Sequence, residues 1–208
     1  PEAKQWRLCV LITESICTHH SWQAVAIEAL AAGADCLQLR EKGLSDSELL
    51  RRARVLVGLT RDHGTDLVIN DRPDVALIAG ASGVHLGQHD LPVDEVRRFA
   101  GDRLLIGVSC AEFRHIGSGV RLGADVFGLG PVYPSTTKPK SEVNGTEFLR
   151  QAIAMLDGRA HLAISGIDGD NIDEIVEAGC RGVAVSSYVC SSQRPGAACE
   201  RLLQVLAG

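Results

Sequence analysis

Four short segments recur where helix-like spacing gives way to short apolar runs: Ala32-Gly33-Ala34-Asp35, Ala79-Gly80-Ala81-Ser82, Leu122-Gly123-Ala124-Asp125 and Ala178-Gly179-Cys180-Arg181. Glycine at a helix C-terminus takes up the left-handed conformation that stops the helix, so each segment reads as the end of a helix and the start of a strand. They stand before every second strand of a chain that alternates the two elements. Periodicity predicts strands over residues 6–13, 34–39, 67–69, 84–86, 104–109, 125–130, 161–165 and 182–185. It predicts helices over 21–32, 45–61, 93–100, 111–122, 146–156, 171–178 and 195–206, with one more short helix between the third and fourth strands. Eight strand–helix units in 208 residues average about 26 residues apiece, which fits an α/β chain forming a compact parallel (β/α)8 TIM barrel, one domain over residues 1–208. An open doubly wound sheet is the alternative. Against it, Gly128-x-Gly130 is followed by Tyr133 where a dinucleotide fingerprint needs a third glycine, and no Walker sequence is present.

Composition removes several classes of function. A formal charge of −5 provides no basic field for nucleic acid or an anionic membrane surface, so an anionic substrate has to be met locally. No apolar run approaches a membrane span and no targeting leader is visible, which implies a cytoplasmic protein; the absence of an initiator Met suggests a trimmed start. Cys9, Cys17, Cys36, Cys110, Cys180, Cys190 and Cys199 are odd in number and contain no Cys-x-x-Cys pair, so they read as reduced thiols that fill the core. On the second helix, Ser45 and Glu48 form a capping box, Leu49, Leu50, Ala53, Leu56 and Val57 follow the helical period, and Arg51, Arg52 and Arg54 are expected to face solvent.

The stretch from Asp66 to Pro92 concentrates chemistry. Leu67 to Ile69 ends in Asn70 and Asp71, and Val84 to Leu86 ends in Gly87, Gln88, His89 and Asp90. Strands joined by a crossover run parallel, so both polar ends emerge at the carboxyl edge, where α/β folds bind ligands. Asp71 and Asp90 should then face one another, and two such carboxylates suit magnesium bound together with a phosphate group. Asp71 read alone could also be a turn residue before Pro73. His85 and His89 have the spacing of a helical metal pair, but Gly87 lies between them and they straddle a strand end, which argues against zinc.

Other strand ends add to this. The run Gln38-Leu39-Arg40-Glu41-Lys42 alternates, with Gln38, Arg40 and Lys42 on one face and Leu39 and Glu41 on the other. Ser109 ends the fifth strand, Ser135, Thr136, Thr137 and Lys138 lie in the long stretch after the sixth, Gly166 follows the seventh, and Ser186 and Ser187 follow the eighth. A diphosphate ester carries roughly three negative charges near neutral pH. Arg40, Lys42, Lys138 and one magnesium ion, less Asp71 and Asp90, leave a matching positive balance. Ser135 to Thr137, Gly166, Ser186 and Ser187 lie where barrels commonly hold a monophosphate, which implies two phosphorylated substrates. Taken singly, Lys138 could be an exposed loop lysine, and Ser186 and Ser187 a helix cap. No Gly-x-Ser-x-Gly elbow is present.

Six motifs in order resemble the thiamine phosphate synthase family: Gln38 to Lys42, Ile69 to Arg72 (Ile-Asn-Asp-Arg), Gly83 to Asp90, Gly107 to Ser109, Gly130 to Lys138 and Gly182 to Ser187. The resemblance implies a (β/α)8 transferase that joins an aminopyrimidine methyl diphosphate to a thiazole phosphate, giving thiamine phosphate and diphosphate by a magnesium-assisted dissociative reaction. It implies that Gln38, Leu39, Arg40, Glu41, Lys42, Asn70, Ser109 and Lys138 hold the pyrimidine diphosphate, with Arg40, Lys42, Ser109 and Lys138 catalytic. Asp71 and Asp90 would bind magnesium, and Ser135, Thr136, Thr137, Gly166, Ser186 and Ser187 the thiazole phosphate. Cys110-Ala111 stands where the family often has Thr-His, Ser165-Gly166-Ile167 where it has Gly-Gly-Ile, and Ser186 where an aliphatic residue is usual. Alternatives are a thiazole tautomerase-like relative, which would lack much of the diphosphate set, and a non-catalytic phosphate-ligand sensor. A Schiff-base aldolase is disfavoured, because Lys138 lacks a desolvated strand position.

Overall fold

The computed structural model describes residues 4–135 and 143–208. Eight strands close into a barrel in chain order, every neighbouring pair parallel: β1 (Leu8–Ile12), β2 (Cys36–Leu39), β3 (Asp66–Asn70), β4 (Gly83–Leu86), β5 (Leu105–Cys110), β6 (Val126–Leu129), β7 (His161–Ile164) and β8 (Val183–Val185). The order is that of a (β/α)8 barrel, and the open-sheet alternative is excluded by the pairing of β8 with β1. Helices follow the strands: α1 (Trp22–Ala31), α2 (Asp46–His63), α3 (Pro73–Ala79), α4 (Val93–Ala100), α5 (Phe113–Leu122), α6 (Gly145–Leu156), α7 (Ile172–Glu177), α8 (Ser187–Cys190) and α9 (Pro195–Leu206). The short α8 was not anticipated from periodicity, because four residues cannot display a helical period.

Strand alternation divides the apolar residues into two cores. Cys9, Cys36, Val68, Leu105, Val126 and Leu162 point into the barrel above Trp6. Leu8, Val10, Leu37, Leu39, Ile69, Val84, Ile106 and Phe127 point outward and pack beneath the helices. Trp6 closes the lower end, its indole N–H donating to Asp66 Oδ2 at 2.9 Å, while the Gln5 amide exchanges hydrogen bonds with the His161 backbone at 2.8 and 3.1 Å. The open end is therefore the carboxyl end of the strands.

The four recurrent glycines stop their helices as expected, with φ of 95°, 76°, 85° and 90° at Gly33, Gly80, Gly123 and Gly179. The last residue of the repeat has a second function in three of the four copies. Asp35, Ser82 and Asp125 accept from the backbone N–H of Leu8, Leu67 and Ile106 at 3.2, 3.3 and 2.8 Å, and donate their own N–H to the carbonyls of the same residues. Each closes a two-bond ring between an odd strand and the following even one. Arg181 has no acceptor to do this.

Six of the seven cysteines are buried and Cys17 is half-buried, all as free thiols. The arginine run departs from expectation at one position. Arg51 and Arg54 are exposed, but Arg52 is only 7% exposed and ion-paired. Its spacing from Leu49 and Leu56 puts it on the inward face of α2, and three carboxylates there satisfy a charge that an apolar neighbourhood would exclude.

Candidate active site

A cavity of about 580 Å³ runs down the barrel from its open end to Trp6, within the range of pockets that bury small ligands. Its lower wall is apolar, from Leu11, Val68, Leu105, Leu162 and Ile164, and its rim is polar. Gln38, Arg40, Asn70, Ser109, Ser135, Gly166, Ser186 and Ser187 all line it, from six strand ends that are far apart in sequence. Thr136, Thr137 and Lys138 lie outside the described residues.

Within the run from Gln38 to Lys42 the alternation holds as far as Glu41: Gln38 and Arg40 line the cavity, whereas Lys42 lies outside its wall with its charge near Asp71. Leu39 is 1% exposed and packs in the outer core, and Glu41 turns away from the cavity to pair with Arg52 at 3.0 Å. Neither side chain lines the cavity. Arg40 does, held by its N–H to Ile12 O at 2.9 Å and by Thr13 Oγ1 donating to its carbonyl at 2.6 Å.

Asp71 and Asp90 sit beside the cavity rather than in its wall. Their carboxyls are near enough to interact. Burial pushes the Asp71 carboxyl up from its ordinary value, the adjacent Asp90 adds to this, and the nearby Lys42 and Arg40 charges oppose it. Asp90 is held by the Gly87 N–H, which donates to its Oδ2 at 2.6 Å. Asp71 takes a φ of 63°, and its N–H donates to His85 O at 2.9 Å, bonding it to the end of β4. Among the described residues no group of three or more His, Cys, Asp or Glu side chains could hold a metal. Two hard carboxylates that repel one another fit a divalent cation that takes its other ligands from water and a phosphate-bearing substrate.

Two features were missed from the sequence. His85, dismissed as a zinc ligand, points into the barrel with Nε2 at 2.8 Å from Ser109 Oγ. Room for its ring comes from two glycines: a Cβ at Gly107 would lie 2.7 Å from His85 Nδ1, and one at Gly128 3.2 Å from Cε1. Ser109 is further fixed by Gln88 Nε2, which donates to its carbonyl at 2.6 Å. At the same strand end His115 lines the cavity beside Ala111, its Nδ1 accepting from the Ala111 N–H at 3.3 Å. No sequence signal marks either contact, because each depends on a partner supplied by the fold.

The rim formed after β6 and β7 is built from backbone. Ser165 and Gly166 take φ of 82° and 68°, and Tyr133 N–H donates to Ser165 O at 3.1 Å while Ser165 Oγ donates back to Tyr133 O at 2.9 Å. A Cβ at Gly166 would lie 2.3 Å from Pro134 O, so only glycine fits there. The loops after β6 and β7 are thereby laced together, and Ser186 and Ser187 open α8 beside them.

Residues 9–189 match the model of the family described as thiamine monophosphate synthase. The thiamine-phosphate synthase of Chloroflexus aurantiacus is 38% identical over 201 residues, covering 95% of this chain and 91% of that protein. The thiamine-phosphate synthase of Streptomyces avermitilis is 40% identical over 179 residues, covering 86% and 83%. Among solved structures, the thiamine phosphate pyrophosphorylase of Pyrococcus furiosus superposes with a TM-score of 0.86 at 30% identity, over 97% of this chain and 95% of that one. The barrel, the motifs and these relatives converge: the chain belongs to the thiamine monophosphate synthase family, and is a transferase.

Proposed function

We propose that the protein joins 4-amino-2-methyl-5-(diphosphooxymethyl)pyrimidine to a thiazole phosphate, forming thiamine phosphate and diphosphate. The observation that carries this reading is the placement of Arg40 and the Asp71–Asp90 pair on one side of a single cavity, and Gly166, Ser186 and Ser187 on the other. Arg40 and Lys42 would meet the diphosphate as point charges, joined by Lys138. Gln38, Asn70 and Ser109 would orient the pyrimidine. Hydroxyls and backbone N–H groups from Ser135 to Thr137, Gly166, Ser186 and Ser187 would bind the thiazole phosphate without bulk.

The chemistry then needs little from the protein beyond placement. The methylene carbon–oxygen bond breaks with its electron pair leaving on diphosphate, where Arg40 and Lys42 stabilise the charge that develops. The electron-rich aminopyrimidine stabilises the cation left behind. The thiazole nitrogen supplies the electron pair for the new carbon–nitrogen bond, and the apolar lower wall keeps water from competing for the cation. A magnesium ion held by Asp71 and Asp90 would neutralise the departing diphosphate. A reducing, cytoplasmic setting belongs to the same proposal and is supported by seven thiols with no disulfide. Among the described residues no helix is long and apolar enough to cross a membrane.

The tautomerase-like alternative is expected to use a His near the position that Ala111 occupies, and His115 beside Ala111 is one observation in its favour. The retained Arg40 and the carboxylate pair oppose it. The test is diphosphate release by the purified protein with both substrates and magnesium, each omitted in turn. Release that needs all three, with thiamine phosphate as product, is expected. Isomerisation of a thiazole phosphate alone, or binding without release, would overturn the transferase.

A further inference from the structure

The Arg52 side chain is buried together with that of Glu41, each 8% exposed, and Arg52 has no place in the chemistry above. Its guanidinium uses three separate nitrogens: Nε donates to Glu48 at 2.8 Å, Nη1 to Glu41 at 3.0 Å and Nη2 to Glu14 at 2.6 Å. Its flat face lies 5.4 Å from the Trp22 ring. It thus joins α1, α2, the turn after β1 and the segment after β2.

Within the cluster only Arg52 and Glu41 are buried, Glu14 and Glu48 reaching solvent, and a buried ion pair is a poor source of net stability, since apolar side chains of the same volume commonly do as well. Its position suggests another use. Glu41 stands between Arg40 and Lys42, the two cations assigned to the diphosphate, and its own carboxylate also accepts the Glu14 N–H at 2.8 Å. Fixing Glu41 from outside the barrel fixes the peptide units that carry both cations, and holds an anion away from the face where a diphosphate would sit. Only a planar fork reaches three carboxylates at once.

We propose that Arg52 is a positioning residue for the diphosphate site, acting through Glu41 on the placement of Arg40 and Lys42. This rests on the functional reading given above. The two residues should behave as one unit, and they should affect one substrate rather than both. Arg52→Met, Glu41→Ala and the double variant are compared with wild type for calorimetric binding of inorganic diphosphate with magnesium, for the KM of each substrate, and for thermal midpoint.

Each single variant is expected to weaken diphosphate binding and raise the KM for the pyrimidine diphosphate about tenfold or more, in the range of lost outer-shell partners. The KM for the thiazole phosphate should stay within about twofold, and the double variant should be no weaker than the worse single one. Glu41→Gln, which keeps an acceptor for Arg52 and the Glu14 N–H, should recover most of the binding. Should Arg52→Met fail to fold, Glu41→Ala tests the same link, because it leaves Arg52 paired with Glu14 and Glu48. Additive losses, equal shifts in both KM values, or unchanged diphosphate binding in Glu41→Ala would overturn the proposal. Absence of diphosphate binding by the wild type would overturn the functional reading and this one with it, whereas binding that neither variant alters overturns this one alone.

Discussion

At Ser165 the chain holds a β-carbon in the left-handed region of backbone space, where glycine is favoured: φ is 82°. A left-handed conformation costs a non-glycine residue about 1–2 kcal/mol. Ser165 offsets part of this by donating from Oγ to Tyr133 O at 2.9 Å, a bond worth about 1 kcal/mol. Ser165→Gly exchanges the one for the other and should change the unfolding free energy by less than about 1 kcal/mol, while Ser165→Ala loses the bond, keeps the strain and should cost about 1–2 kcal/mol. Denaturant unfolding of the two variants checks the order. His85 supplies a sharper case. A Cβ at Gly107 would meet His85 Nδ1 at 2.7 Å and one at Gly128 would meet Cε1 at 3.2 Å. Gly107→Ala should therefore displace the ring, break its 2.8 Å contact with Ser109 and lower kcat/KM by about 100-fold, as misplacement by an ångström does. Gly128→Ala should be milder; equal kinetics in the two would remove His85 from the site. Residues such as Gln38 and Arg40 were legible in the sequence because strand alternation is local. His85 was not, since its partner lies 24 residues away and the space it fills is made by two other strands.

Among the elements, helix stops were read correctly and for the correct reason, yet half of the repeat went unread. Its glycine acts through its own backbone, which sequence shows. Its final Asp or Ser acts on a strand almost 30 residues earlier at most, through a hydrogen bond that only the closed barrel brings about. The two bonds differ in strength. Asp125 Oδ2 accepts from Ile106 N–H at 2.8 Å and from Arg97 Nη2 at 2.5 Å, both at a half-buried site, whereas Ser82 Oγ takes one bond at 3.3 Å. Asp125→Ala should cost about 2–3 kcal/mol, the toll of stranding a backbone donor and a charged one, and Ser82→Ala about 1 kcal/mol or less. Thermal or urea unfolding that reversed this order would mean that the repeat owes nothing to these rings. Arg52 shows the complementary failure. The sequence reading turns Arg52 to solvent with Arg51 and Arg54, whereas the structure buries it beside Leu49, Ala53 and Leu56; the three carboxylates that make this possible, Glu14, Glu41 and Glu48, come from separate segments of the chain.

The molecule as a whole is a tube closed below and open above. The lower end depends on residues 5 and 6: Gln5 ties to the His161 backbone and Trp6 to Asp66, so the first strand, the third and the seventh are joined beneath the interior core. His161 itself turns outward from the barrel at that end. It is buried, its Nδ1 bonds Arg159 O at 2.8 Å, and its Nε2 meets no partner among the described residues. Burial holds the imidazole below its ordinary value near 6.5, because a second proton would leave a charge with nothing to receive it. In the unfolded chain that proton binds freely. Between the depressed folded value and about 6.5, the unfolded state holds more protons, so stability rises with pH through this window and is lost as pH falls through it. His161→Leu removes both the titrating group and the unpartnered nitrogen. The expected outcome is a difference curve: the wild type loses stability relative to the variant as pH drops from about 7 to 5, with little change above about 7. Unfolding free energies measured across that range decide it, and parallel curves would show that His161 carries no proton linkage. Since the lower end lies far from the carboxyl ends of the strands, diphosphate release at pH 7 should be unaffected by the variant, separating the stability of the tube from the chemistry at its mouth.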